Sequence, residues 1–111
     1  FYKGLAVTCY LHPQQFSRAA TPQQVRELLA DYYQGERFIR VLPFDLNATT
    51  DGGFYNVEAN NGSNHVDIAV YGTEERMLLI ARLDNLGKGA SGAAVQSMNV
   101  HLGVEESLGL V

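Results

Sequence analysis

Gly87, Gly89 and Gly92 stand in the spacing G-x-G-x-x-G. Glycines so placed let a phosphate or a ring approach the backbone, and the free N–H groups of a helix start carry partial positive charge. The chemistry would be dinucleotide binding, provided a strand precedes the glycines and a helix follows. A second strand must then bring an acidic residue about 20 positions further on. Met77 to Leu83 is nearly continuously apolar and supplies the first strand. Ala94, Val95, Met98 and Leu102, at helical spacing, supply the helix. No second strand separates that helix from Glu105-Glu106. The glycines therefore read more simply as small residues that allow close helix–sheet packing. Lys88 is not followed by Ser or Thr, and no glycine stands five residues before Gly87, which excludes a P-loop.

The other reactive side chains are scattered. Cys9 and His12 lie three residues apart along an extended stretch, on opposite faces. A nucleophile–base dyad is thus disfavoured, and Cys9 is expected to be a small buried thiol. His12, His65 and His101 fall on separate elements without metal-ligand spacing, so no metal site is expected. His101, near a helix C-terminus, suits the helix dipole. Glu58, Asp67 and Asp84 are carboxylates that could pair for acid–base work, but are expected at the surface.

The elements that would position these residues are legible. Leu5 to Leu11 reads as a strand and Pro13 to Ala20 as a loop. Thr21 reads as a helix N-cap, Pro22 as the first helical residue and Gln24 as the capping-box partner. Val25, Leu28, Leu29 and Tyr32 form that helix's apolar stripe, with Tyr32 in the core, Tyr33 partly exposed and Gly35 as the stop. Phe38 to Phe44 is a second strand with Pro43 at its exit. Asn47 to Gly53 is a turn-rich loop, Phe54 to Ala59 a short extended piece and Asn60 to Asn64 a further loop. Val66 to Tyr71 alternates and predicts a strand with one polar-leaning face. Gly72 to Glu75 is a hairpin turn, and Met77 to Leu83 a central strand buried on both faces. Gly87 to Gly92 is a glycine-rich turn, and the last helix stops at Gly103. Short turns join the later strands, which should pair antiparallel. The fold class is α+β: a mixed, largely antiparallel sheet with helices on one face.

The 111 residues suffice for one domain, and 46% hydrophobic with 18% charged residues is an ordinary globular composition. A net charge of −4 without a basic run disfavours nucleic acid and anionic membranes as partners. The longest apolar run, Met77 to Ala81, is far short of the roughly 20 residues of a membrane helix. The single cysteine excludes an internal disulfide framework and a four-cysteine zinc site. The sequence begins at Phe1, without a charged leader or signal pattern, which leaves a processed product or a piece of a longer protein as the two readings.

The run from Asp84-Asn85-Leu86-Gly87-Lys88-Gly89-Ala90-Ser91-Gly92 through Ala93-Ala94-Val95-Gln96-Ser97-Met98-Asn99 closely resembles the C-terminal signature of the N-acetyl-γ-glutamyl-phosphate reductase family, NADP-dependent semialdehyde dehydrogenases of arginine biosynthesis. Lys3-Gly4-Leu5-Ala6-Val7-Thr8, Gly62-Ser63-Asn64 with Asp67-Ile68, and the tail from Leu102-Gly103 to Leu110 resemble other stretches of the same family. The resemblance implies residues 1–111 to be a single C-terminal segment of the catalytic and dimerisation domain. It implies that the 87–103 helix docks on an NADP-binding domain elsewhere in the polypeptide. It further implies an activity for the intact enzyme: thiolate attack on N-acetyl-glutamyl phosphate, departure of phosphate, and hydride delivery from NADPH to the thioester, giving the semialdehyde. The family's Asn-Pro-Gly-Cys nucleophile and its catalytic histidine motif are absent here, so no catalytic residue is carried over and the segment alone is expected to be inactive.

By the same resemblance Asn85 faces the nicotinamide carboxamide, and Gly87, Lys88, Gly89 and Ala90 line that wall. An amide both donates to and accepts from a carboxamide. Lys3 stands where the family carries a substrate-side Arg, with a point charge in place of a bidentate fork. The resemblance implies a homo-oligomer, cytoplasmic in bacteria and organellar in many eukaryotes. Three rival readings remain: an aspartate-semialdehyde-type relative, a stand-alone nucleotide-binding module, and a non-catalytic oligomerisation domain. The Lys88-to-Gln96 run favours the arginine pathway over the first.

Overall fold

Thr21 starts the first helix as its sequence predicts. Its hydroxyl accepts the Gln24 N–H at 3.1 Å while the Gln24 side chain accepts the Thr21 N–H at 2.9 Å. The computed structural model describes residues 1–111. The elements run β1 (Leu5–Leu11), a 3₁₀ turn (Pro13–Gln15), α1 (Pro22–Tyr32), β2 (Ile39–Val41), α2 (Leu46–Thr49), β3 (Val66–Gly72) and β4 (Met77–Leu83). A π-helical turn (Gly87–Ser91) then leads into α3 (Gly92–Leu102). The four strands form one sheet in the order β1-β4-β3-β2. β4 is antiparallel to both β1 and β3, and β2 joins β3 in parallel. The α+β class and the mixed, largely antiparallel sheet are as the sequence predicts, but α1 and α2 lie on opposite faces, because Thr49 of α2 is held by the Tyr71 hydroxyl on the side away from α1.

Side chains alternate across the sheet, which fixes what each face carries. Arg40, Asp67 and Arg82 lie side by side on one face. The 45–64 segment crosses that face: the Tyr71 hydroxyl donates to Thr49 Oγ1 at 2.7 Å, and Arg82 Nη1 donates to the Asn56 carbonyl at 2.9 Å. α1 packs against β2 and β3 on the opposite face, where Ile68 and Val70 are buried. That face continues onto Leu79, Ala81 and Leu83 of β4, half-buried, and Leu5, Val7 and Cys9 of β1, exposed. α3 sits beyond the end of β4.

Several local expectations are corrected. β2 pairs only over Ile39–Val41, because Pro43 ends the ladder soon after Leu42 donates to Ile68. The first three residues of the Asn47–Gly53 stretch belong to α2, because the Asp45 carboxylate caps the N–H groups of Asn47 and Ala48. Phe54 to Ala59 is a series of turns, with one bridge between Asp51 and Phe54. Gly87 to Ser91 is a wide helical turn that runs straight into α3. β4 is central in strand order, but only Met77 and Arg82 are buried, since nothing covers the α1-side face beside β1. Cys9 is exposed for the same reason. Tyr32 and Tyr33 exchange roles: Tyr32 is exposed with Leu28, and Tyr33 is half-buried.

Candidate functional site

The Asp84 carboxylate ties three parts of the chain together where β1 begins and β4 ends. It is 1% exposed. Oδ2 accepts from Lys3 Nζ at 2.7 Å and from the Gly62 N–H at 2.8 Å; Oδ1 accepts the N–H groups of Leu86 at 2.9 Å and Gly87 at 3.1 Å. The Lys3 ammonium first, and then those backbone donors, hold the carboxyl far below the usual carboxylate range despite its burial. The expectation of a surface carboxylate is overturned for Asp84. Its sequence signal was available: an Asp at a strand end with a Gly three residues on forms a turn by accepting the following N–H groups.

This turn presents Asn85. Its Oδ1 accepts the Gly4 N–H at 2.8 Å, and the residue is exposed. Gly4 has φ +127°, and a Cβ there would stand 2.9 Å from the Val57 carbonyl oxygen. The donor is thus held in a backbone conformation suited to glycine. Beside the turn lies a cleft of about 410 Å³ lined by Lys3, Ser63, Asn64, Asp84, Ser91 and Gly92 among others.

The glycine motif is not a phosphate cradle. The N–H groups of Leu86 and Gly87 go to Asp84 Oδ1, that of Gly89 to the Asp84 carbonyl, and those of Ser91 and Gly92 to the carbonyls of Leu86 and Gly87. The packing reading is the one the geometry supports. A Cβ on Gly92 would lie 2.2 Å from Asn64 Oδ1 and 2.9 Å from Gly87 backbone atoms; one on Gly89 would lie 3.1 Å from Leu83 Cδ1. Lys88 turns inward: its Nζ donates to Gln96 Oε1 and lies 5.9 Å from the centre of the Phe38 ring. Ala90 is exposed on the turn. Gln96 also accepts from Asn64 Nδ2 and donates to Glu106, linking α3 to the tail. Sequence reasoning missed this amide network, for amides at these separations carry no local pattern.

A second polar cluster lies under the 45–64 segment. Asp67, expected at the surface, is 2% exposed and accepts from Arg40 Nε at 2.7 Å and Arg82 Nε at 3.0 Å. Arg40 also donates to Asn60 Oδ1, and the Arg82 guanidinium lies 4.8 Å from the Tyr55 ring centre. The Tyr55 hydroxyl is buried with no hydrogen-bond partner, and burial raises its pKa to about 12. His65 packs edge-on against Phe38; burial first, then Arg40, lowers its pKa, with Asp67 opposing. These groups build the sheet and open onto no cleft beside Asn85. No three His, Cys, Asp or Glu side chains gather as metal ligands.

Comparison with known proteins shows the family. Residues 1–85 match the family model for the dimerisation domain of semialdehyde dehydrogenases. The chain belongs to the semialdehyde dehydrogenase family. It is 44% identical to N-acetyl-gamma-glutamyl-phosphate reductase 2 of Nostoc sp., and the match covers 99% of this chain and 35% of the relative. It is 42% identical to N-acetyl-gamma-glutamyl-phosphate reductase of Trichormus variabilis over the same shares, and 39% identical to that of Desulforudis audaxviator over 98% of this chain and 29% of the relative. The chain spans about a third of the length of these curated relatives.

Proposed function

We propose that this chain is the C-terminal part of an N-acetyl-γ-glutamyl-phosphate reductase that works with NADPH in the cytoplasm. The observation that carries the reading is the 44% identity across 99% of the chain. The relatives' names favour the N-acetylglutamyl substrate over an aspartate-semialdehyde type.

The residues fit one end of the cofactor. The N–H groups of Gly87, Gly89 and Gly92 are spent within the chain, so the phosphates are assigned to another part of the polypeptide. Asn85 offers an exposed amide suited to the nicotinamide carboxamide. When bound, the reduced nicotinamide supplies hydride. Of the wall residues, Gly87, Gly89 and Ala90 shape the turn, and Lys88 braces it through Gln96. Lys3 acts through Asp84. The nucleophilic cysteine belongs to another part of the polypeptide, and this segment alone is inactive.

The apolar stripe of β1 and β4 is the surface for a second copy, in keeping with the family's dimerisation domain. α3 exposes Met98, Val100 and Leu102, suited to docking on the cofactor-binding domain. No helix is long and apolar enough to cross a membrane.

The test is NADP reduction by the purified protein in a reaction that requires both N-acetylglutamate semialdehyde and phosphate. Activity of the full-length protein with both, and with neither alone, is expected. No turnover with this pair, or turnover with aspartate semialdehyde in its place, would overturn the reading.

A further inference from the structure

The Asn85 side chain is held in one orientation. An N–H donor must point at an oxygen, so the Gly4 N–H holds Oδ1 inward at 2.8 Å. Nδ2 then faces outward, and it donates to no group of the chain. Residues on both sides of this bond are immobilised. The Lys3 carbonyl accepts from Asn61 Nδ2 at 2.8 Å, and Gly4 is confined by the Val57 carbonyl. Asp84 grips Lys3 Nζ with one oxygen and the N–H groups of Leu86 and Gly87 with the other. The carboxylate thus fixes the distance between the Lys3–Gly4 segment that leads into β1 and the turn that carries Asn85.

We infer that Lys3 and Asp84 are a positioning pair that makes Asn85 a donor-only contact, so that this site reads the carbonyl oxygen of the nicotinamide carboxamide and not its NH₂. The inference rests on the cofactor role proposed for Asn85. It also reassigns Lys3: its ammonium, paired with the buried Asp84 carboxylate, serves the turn rather than the substrate's own carboxylate or phosphate.

The test measures dissociation constants on the full-length enzyme by calorimetry, for NADPH and for its 3-acetylpyridine analogue, which keeps the carbonyl oxygen and lacks the NH₂. Both should bind the unaltered enzyme within about threefold of one another. Asn85→Asp, which replaces the outward donor with an acceptor, should weaken both by roughly tenfold or more. Lys3→Met should weaken both alike and leave the KM for the acyl phosphate unchanged, while Lys3→Arg should restore binding by pairing with Asp84. An analogue bound more than about tenfold worse than NADPH by the unaltered enzyme would show that the NH₂ is read, and would overturn the donor-only assignment. A Lys3→Met effect confined to the acyl-phosphate KM would overturn the positioning role. Asn85→Ala with both dissociation constants unchanged would remove the cofactor reading itself, an outcome distinct from the other two.

Discussion

Asp67→Asn removes the charge that two arginines share, at a site where its shape is kept. The Arg82 side chain is 11% exposed and the Arg40 side chain 51% exposed. The pair with Arg40 is therefore largely solvated and contributes under about 1 kcal/mol. Arg82 is different. Breaking a buried pair by removing one partner costs about 3–5 kcal/mol, because the other charge is left uncompensated. An asparagine can accept from one guanidinium, but its NH₂ must face the other. With about 4 °C of Tm per kcal/mol for a chain of this size, Asp67→Asn should lower Tm by roughly 12–20 °C. The assay is thermal and urea unfolding followed by circular dichroism. Arg82→Ala should cost at least as much as Asp67→Asn, since it also loses the Asn56 carbonyl and the Tyr55 ring. Arg40→Ala should cost about 1 kcal/mol or less. Replacing Asp67 and Arg82 together with Leu and Met should recover much of the loss, because a dry, unpaired charge no longer remains. A cost under about 1 kcal/mol for Asp67→Asn, or equal costs for the two arginines, would refute the reasoning.

The Tyr55 phenol should titrate at about pH 12 in an ultraviolet absorbance titration. Its folded pKa lies above the unfolded value of 10.0, so its contribution to stability is full below about pH 10 and is lost as pH rises through about 12. Tyr55→Phe should remove that step and leave stability unchanged or raised by up to about 1 kcal/mol, since the hydroxyl has no partner to lose. Gly92→Ala should destabilise by about 1–3 kcal/mol in urea unfolding, because its Cβ meets both Asn64 and the Gly87 backbone. Cys9 should react readily with a thiol reagent when the sheet face is free and slowly in the dimer; equal rates would move the subunit contact off this face.

Local chemistry was legible wherever the determinant lay within a few residues. The strand Leu5–Leu11, the Thr21–Pro22–Gln24 helix start and the strands flanking Gly72 follow from neighbouring side chains and turn residues alone. The run from Asp84 to Asn99 resembles the family's signature in its residues alone. What failed was burial. Cys9 and Tyr32 carry the side chains of a core, yet lie exposed because no element of this chain covers them. Asp67 and Asp84 carry the side chains of a surface, yet lie buried because their partners, Arg40, Arg82, Lys3 and Gly62, arrive from distant parts of the chain. The type of residue and its period along the chain thus determined β1, α1, β3 and β4, while the family came from the resemblance of the Asp84–Asn99 run. The tertiary structure decided which carboxylates are ion-paired and which way Asn85 points. Both depend on groups as far apart as Gly4 and Asn85, which no local pattern relates and only the pairing of β1 with β4 brings within hydrogen-bonding distance.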